Sequence, residues 1–128
     1  MKIFVAVLCM AAVAAAGYVP RTPEDLNRAR GVCVKKYEIT TERIAEYRKR
    51  IFRETDKETP LYVACVFEQL GLYREGAFVT DDYLVQLGKG DGARESVVGC
   101  YDKSEDLTIR AFRTFLCFIE KGLLPEGY

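Results

Sequence analysis

Cys33, Cys65, Cys100 and Cys117 are the side chains of this sequence best suited to covalent chemistry, and their number and spacing favour cross-linking. A zinc site would need ligands close enough to share one ion, yet the chain has no histidine and no CxxC pair. Nucleophilic catalysis by a thiol would need a neighbouring base, and the usual one is missing. An even cysteine count behind an export leader makes two disulfides the default. Four cysteines allow three pairings, and spacing alone does not choose among them. Each bridge would restrict the unfolded chain by roughly 3 to 4 kcal/mol.

Other reactive patterns are weak. Gly88-Lys89-Gly90-Asp91-Gly92 has no preceding strand and lacks the Lys-Ser/Thr ending of a phosphate-binding loop. The acid pairs Asp81-Asp82 and Glu105-Asp106 stand at expected helix starts, where the helix dipole already favours them. No catalytic residue and no metal ligand is assigned, no cofactor is expected, and the chain does not read as an enzyme. Nor does it read as a nucleic-acid binder. Of 19 basic and 19 acidic residues only Lys2 falls in the leader, which leaves the rest at a net charge of −1 with no basic face.

The leader is read from residues 1–16: an early Lys2, an apolar run from Ile3 to Val13, and Ala14-Ala15-Ala16 as a small-residue cleavage site. The run is too short to read first as a membrane span, so a secretory signal cut after Ala16 is expected, and Cys9 goes with it. No later segment resembles a span. Residues 17–128 are enough for one small domain, whose limited core gains from cross-links.

The elements that must position the cysteines are helices. Thr22-Pro23-Glu24-Asp25 has the form of a helix start and predicts a helix over about 23–36. Thr41 is the expected cap of a second helix carrying Ile44, Tyr47, Ile51 and Phe52 on one side. Thr59-Pro60 repeats the first device and opens a third through Leu70, with a stop near Gly71. Thr80-Asp81-Asp82 opens a fourth, closed by Gly88 and Gly90; a fifth spans roughly 92–102 and a sixth about 105–121. Strand alternation is nowhere sustained and no Asn-Gly hairpin occurs. The charged stretch from Arg48 to Lys57 reads as a solvated helix end and loop. The expected fold class is all-α, with about six short helices.

Two segments carry the apolar signal. The sixth places Thr108, Ala111, Phe112, Phe115, Phe118 and Ile119 on one broad side, opposite Arg110, Arg113 and Lys121, with Cys117 at the flank. The third is apolar over most of its circumference: Leu61, Cys65 and Leu72 on one side, Val63, Phe67 and Leu70 on the other. Such a helix is buried, or packs with one face and lines a cavity with the other.

With these segments in view, the chain resembles the insect odorant-binding proteins, a secreted family of about six helices that usually carries six cysteines. Residues 61–67, 111–118 and 22–26 are similar to the family's third, last and opening helices. Matching Cys33, Cys65, Cys100 and Cys117 to the first, third, fourth and sixth cysteines leaves Leu61 and Thr108 at the two vacant places. The resemblance is therefore to a four-cysteine form, with a mosquito or fly character in the first helix. It implies the pairs Cys33–Cys65 and Cys100–Cys117, with Leu61 facing Thr108 in place of a third bridge.

The function implied by the resemblance is that of a secreted carrier. It would hold a small hydrophobic molecule, a volatile or a fatty acid, in an internal apolar cavity and move it through aqueous fluid, in olfaction. An odorant receptor is the implied further partner, and the implied state is a monomer or weak homodimer. Candidate cavity-wall residues are Phe67, Leu70, Leu84, Leu87, Phe112, Phe115 and Ile119, although helical spacing of apolar residues marks plain core as readily. Tyr47, Tyr62, Tyr73, Tyr83 and Tyr101 are candidate polar contacts, each equally explained by the need of a buried phenol for a partner. Arg110 and Arg113 read as surface charges. In the tail, Leu123 and Leu124 can pack at a rim and Tyr128 can reach back, or the end can fray. Two alternatives stand beside the carrier: a non-olfactory scavenger of lipids or amines with this fold, and a helical interaction protein whose pocket is vestigial. Without histidine, acidification to about pH 5.5 should change affinity little.

Overall fold

The computed structural model describes residues 17–128; the leader, its expected cut and Cys9 lie outside the described residues. Among the described residues six helices occur, in chain order α1 (Pro23–Lys36), α2 (Thr41–Arg48), α3 (Glu58–Gln69), α4 (Thr80–Leu87), α5 (Arg94–Gly99) and α6 (Leu107–Glu120). A two-stranded ribbon of β1 (Tyr73–Arg74) and β2 (Ala77–Phe78) sits between α3 and α4, and a 3-10 turn (Asp91–Ala93) leads into α5. α3 packs against both α1 and α6 and forms the centre of the molecule. Among the described residues no helix is long and apolar enough to cross a membrane.

Local chemistry explains most helix ends. At α1 the Asp25 amide donates to Thr22 Oγ1 (3.2 Å) and the Thr22 amide to Asp25 Oδ2 (2.9 Å), a reciprocal cap with Pro23 at the first helical position. α2 is capped by Thr40, whose Oγ1 accepts from the Arg43 amide, and not by Thr41. This register sets Ile39 just before the cap and Ile44 in the fourth helical position, the arrangement of a hydrophobic staple, and Ile39 is buried. α2 also stops at Arg48, so Ile51 and Phe52 leave the helix instead of extending its apolar side. The turn is made by Arg50 in a left-handed conformation (φ 62°), with the Ile51 amide donating to the Glu46 carbonyl and the Arg50 amide to the Tyr47 carbonyl. Gly122 closes α6 by the same pattern.

Three further expectations shift. α3 begins at Glu58 with no side-chain cap, because the Thr59 hydroxyl is turned inward to Tyr47 at 2.7 Å. Thr80 is the first residue of α4 and not its cap; its hydroxyl meets Tyr101 Oη at 2.6 Å. α5 is shorter than expected: after Cys100 the chain leaves the helix, with the Asp102 amide donating to Thr114 Oγ1. The ribbon was not anticipated, being two residues per strand and too short to show alternation. Its Glu75-Gly76 turn has both residues at positive φ, the geometry that matches strand twist, and sets Tyr73 opposite Phe78.

The disulfides follow the implied pairing. Cys33–Cys65 joins α1 to α3 (Cα–Cα 5.9 Å) and Cys100–Cys117 joins the end of α5 to α6 (5.5 Å). On α6, Ala111, Phe112, Thr114, Phe115 and Phe118 are buried. Arg110 departs from the surface role expected of it: partly buried, it donates to the Ser104 and Gly76 carbonyls and ties α6 to the ribbon turn. Arg113 is exposed and paired with Glu54 (2.8 Å). Leu61 is 38% exposed on the outer side of α3, the one exposed apolar residue in a helix buried from Tyr62 to Phe67.

Candidate functional site

A cavity of about 530 Å³ lies between α1, α2 and α3, with Phe115 of α6 and the Gly127–Tyr128 segment completing its wall. Its surface begins with the helix registers already described. α1 contributes Leu26 and Val34, α2 Ile44 and Tyr47, and α3 Tyr62, Val63, Val66 and Phe67. Because α2 ends early, Arg50 turns the chain and Phe52 stacks on Tyr47 (5.0 Å between centroids, 12° between planes). Tyr47 also stacks on Tyr62 (5.0 Å), while Phe52 meets Phe115 edge-on at 4.9 Å. Phe115 and Phe67 are 5.9 Å apart, and Phe67 and Tyr128 6.4 Å. Six aromatic rings thus form a connected wall. Such offset and edge-on contacts hold ring positions more firmly than area burial alone.

The loop that carries Phe52 is fixed from outside. Arg43, partly buried, donates to Glu46, Asp56 and Glu58 at 2.8, 2.6 and 3.0 Å. Arg53 shares Glu46, and its hydrogen bond holds that carboxyl below the usual carboxylate range. The stretch from Arg48 to Lys57 is therefore a braced segment that presents an aromatic side chain inward, and not simply a solvated loop.

Polar groups gather at the cavity's edge. Asn27, Arg30, Arg48 and Arg50 line it, and among the described residues no Asp or Glu side chain does. Among the described residues none of these three arginines is paired with an Asp or Glu side chain. Arg50 Nη2 donates to the main-chain oxygen of Tyr128 (2.6 Å) and Arg30 Nη2 to that of Gly127 (3.2 Å). Burial raises the phenols of Tyr47, Tyr62 and Tyr128, so all three are neutral near pH 7. The Tyr47 hydroxyl is engaged by Thr59, whereas that of Tyr128 is buried and has no hydrogen-bond partner among the described residues. A second cavity of about 380 Å³ lies beyond, walled by Phe118, Ile119 and residues 122–128, and it shares Arg50, Gly127 and Tyr128 with the first.

The candidate wall residues separate. Phe67 and Phe115 face the larger cavity and Ile119 the smaller. Leu70, Leu84 and Phe112 are buried on neither, and Leu87 is half-buried against the core. Of the candidate tyrosines, Tyr47 and Tyr62 line the larger cavity. The others have internal partners: Tyr73 donates to the Leu107 carbonyl, Tyr83 to the Leu123 carbonyl, and Tyr101 meets Thr80. Sequence reasoning missed α1, Phe52 and the three arginines. One usable signal was present in the run Ile44, Tyr47, Arg48, where apolar and basic side chains share one helix. Tyr128 does reach back, and Leu123 is buried behind it.

The arrangement can enclose an apolar body and receive an acceptor or anion at its edge. It contains no paired acid and base, and among the described residues no group of three or more metal-ligating side chains occurs. The profile of the PBP/GOBP family matches residues 15–121. Odorant-binding protein 22 of Aedes aegypti is 38% identical over 130 residues, covering 96% of this chain and 93% of that protein. General odorant-binding proteins 99a and 99b of Drosophila melanogaster are each 27% identical, covering 96% and 83% of this chain and 92% and 78% of their own lengths.

Proposed function

The chain belongs to the PBP/GOBP family, whose members are non-enzymatic carriers, and from that membership we propose that it is a secreted carrier for a small hydrophobic ligand. It is a four-cysteine member that holds its cargo in the larger cavity and moves it through aqueous fluid, in olfaction. The names of its relatives support odorants as the cargo class.

The observation that carries this reading is the cavity itself. At about 530 Å³ it falls within the range of small-molecule sites, roughly 300–1,000 Å³, and its aromatic wall is already assembled. A vestigial pocket would be filled by its own side chains, which argues against a mere interaction protein. The polar edge narrows the cargo. Three arginines and no Asp or Glu side chain favour a ligand bearing a carboxylate or another acceptor, and disfavour an amine. The scavenger of amines is thereby the weaker alternative.

The test is displacement of the fluorescent probe N-phenyl-1-naphthylamine by hexadecanoic acid, hexadecanol and hexadecylamine. The acid should displace most strongly and the amine least. Arg48→Gln with Arg50→Gln should weaken the acid about fivefold, as expected for exposed charges, and leave the alcohol closer to wild type. Failure of the probe and all three compounds to bind would overturn the carrier reading. Binding in which the amine matched the acid would overturn the charge preference alone.

A further inference from the structure

Five of the eight tyrosines commit their hydroxyls to bonds within the fold: Tyr18 to Gln86, Tyr47 to Thr59, Tyr73 and Tyr83 to carbonyls, and Tyr101 to Thr80. Among the described residues the other three have no such partner. Tyr37 does not line the larger cavity, and the Tyr128 hydroxyl is fully enclosed. Tyr62 differs from both: it is only 9% exposed, it lines the cavity, and its hydroxyl stays accessible. A buried phenol normally finds a partner, so one that faces an open space without any is a vacant hydrogen-bonding position. Stacking on Tyr47 at 5.0 Å holds the ring in place. Burial raises the phenol while the Arg30 guanidinium pulls it the other way, so it is protonated near pH 7 and can donate. Arg30 lines the same cavity and is partly buried, whereas Arg48 and Arg50 are exposed. Its Nη2 donates to the Gly127 carbonyl at 3.2 Å, and its Nε and Nη1 have no partner among the described residues. One bridge positions both side chains. Arg30 stands three residues before Cys33 and Tyr62 three before Cys65, and Cys33 is bonded to Cys65. Three residues rise about 4.5 Å and nearly complete a helical turn, so each side chain shares the bridged face of its helix.

We propose that Tyr62 and Arg30 form the headgroup site of the cavity: the Tyr62 hydroxyl donates to the oxygen of an alcohol, ester or carboxylate, and Arg30 adds its charge for the carboxylate alone. The apolar part of the ligand then runs along α3 past Val66 and Phe67 toward Phe115, all of which line the same space. The Cys33–Cys65 bridge keeps the two donors at a fixed separation, so little ordering is left to be done when a headgroup arrives. Arg48 and Arg50, being exposed, act on an anion through water and contribute less. This inference rests on the carrier reading and names the groups that grip the cargo.

The experiment measures displacement of N-phenyl-1-naphthylamine by hexadecanoic acid, hexadecanol and hexadecane, on the wild-type chain and on Tyr62→Phe and Arg30→Gln. Tyr62→Phe keeps the ring and removes only the donor. It should weaken the alcohol about fivefold and the acid about tenfold or more, and leave the hydrocarbon at its wild-type affinity. Arg30→Gln should weaken the acid about fivefold and leave the alcohol near wild type. A second readout is the infrared carbonyl stretch of bound methyl hexadecanoate carrying a 13C label at that carbon. A donated hydrogen bond weakens the carbonyl, so the band should lie lower in the wild type than in hydrocarbon solvent and return toward the solvent value in Tyr62→Phe. Equal losses for all three compounds in Tyr62→Phe, no loss for acid and alcohol, or a band unmoved by the substitution would overturn the proposal and leave the carrier reading intact. Should Tyr62→Phe fail to fold, the wild-type spectrum decides alone, and a band at its solvent value overturns the proposal. If the wild type binds neither the probe nor any of these compounds, both readings fall.

Discussion

Replacing Tyr47 by phenylalanine removes one buried oxygen and strands another. Tyr47 Oη and Thr59 Oγ1 are 2.7 Å apart; Thr59 is fully buried and Tyr47 nearly so. The pair joins α2 to α3 directly behind the aromatic wall, since Tyr47 stacks on both Phe52 and Tyr62. Tyr47→Phe leaves the ring stack intact but deprives Thr59 of its partner, at a cost of about 1–3 kcal/mol. Thr59→Val is nearly isosteric, stays β-branched in the first turn, and strands the phenol instead, with a similar penalty. Removing both oxygens leaves no stranded group, so the double variant should lie within about 1 kcal/mol of wild type. The cycle then gives a coupling of at least about 1 kcal/mol, and about 3 kcal/mol for penalties in the middle of that range. Urea unfolding with the disulfides intact measures it, and for a domain of this size each kcal/mol should appear as about 4 °C in melting temperature. Single variants indistinguishable from wild type, or a double variant whose loss equals the sum of the singles, would refute this account of how α2 is registered on α3.

Three further outcomes are expected. Cys33→Ser with Cys65→Ser opens a closure of 32 residues and should cost about 4 kcal/mol in chemical unfolding, whereas Cys100→Ser with Cys117→Ser, spanning 17, should cost about 3. A reversed order would show that strain or residual structure outweighs loop length. Asp25, Glu46 and Glu54 have folded carboxyl values below their ordinary ones, led by hydrogen bonds from the Thr22 main chain, Arg53 and Arg113 respectively. A lowered folded value stabilises above the unfolded value and is lost as pH falls through the folded one. Stability and probe affinity should therefore hold from pH 7 to about 5.5 and stability should decline only below about 4; a tenfold affinity loss by pH 5.5 would contradict this. If Leu61 and Thr108 occupy the places of a missing bridge, Leu61→Cys with Thr108→Cys should oxidise to a third disulfide and add about 4 kcal/mol; two free thiols in intact-mass measurement would reject that alignment.

How far the sequence could be read differs by element. Thr22-Pro23-Glu24-Asp25 announced α1 because a cap is satisfied within four residues, and the first amides of a helix need nothing distant. Gly88 closed α4 for the same local reason. Thr41, Thr59 and Thr80 carried equally good signals yet cap nothing. In two of these cases the hydroxyl bonds to a tyrosine that folding brings alongside, Tyr47 for Thr59 and Tyr101 for Thr80. The site was less legible. Phe67 and Phe115 face the larger cavity, but Leu70, Leu84 and Phe112 have the same chemistry and spacing and are core.

The order of residues alone determined an all-helical, cross-linked small domain without histidine chemistry, since helix periodicity and capping act over a few residues and composition acts over none. Tertiary structure alone decided which apolar faces leave a space between them. Burial in a core and exposure to a cavity draw on the same hydrophobic residues, and only the packing of all the helices together distinguishes them. It also brought Arg50 and Tyr128, separated by 78 positions, to one edge of that space. No local pattern encodes such a meeting, because neither residue's conformation depends on the other until the chain has folded.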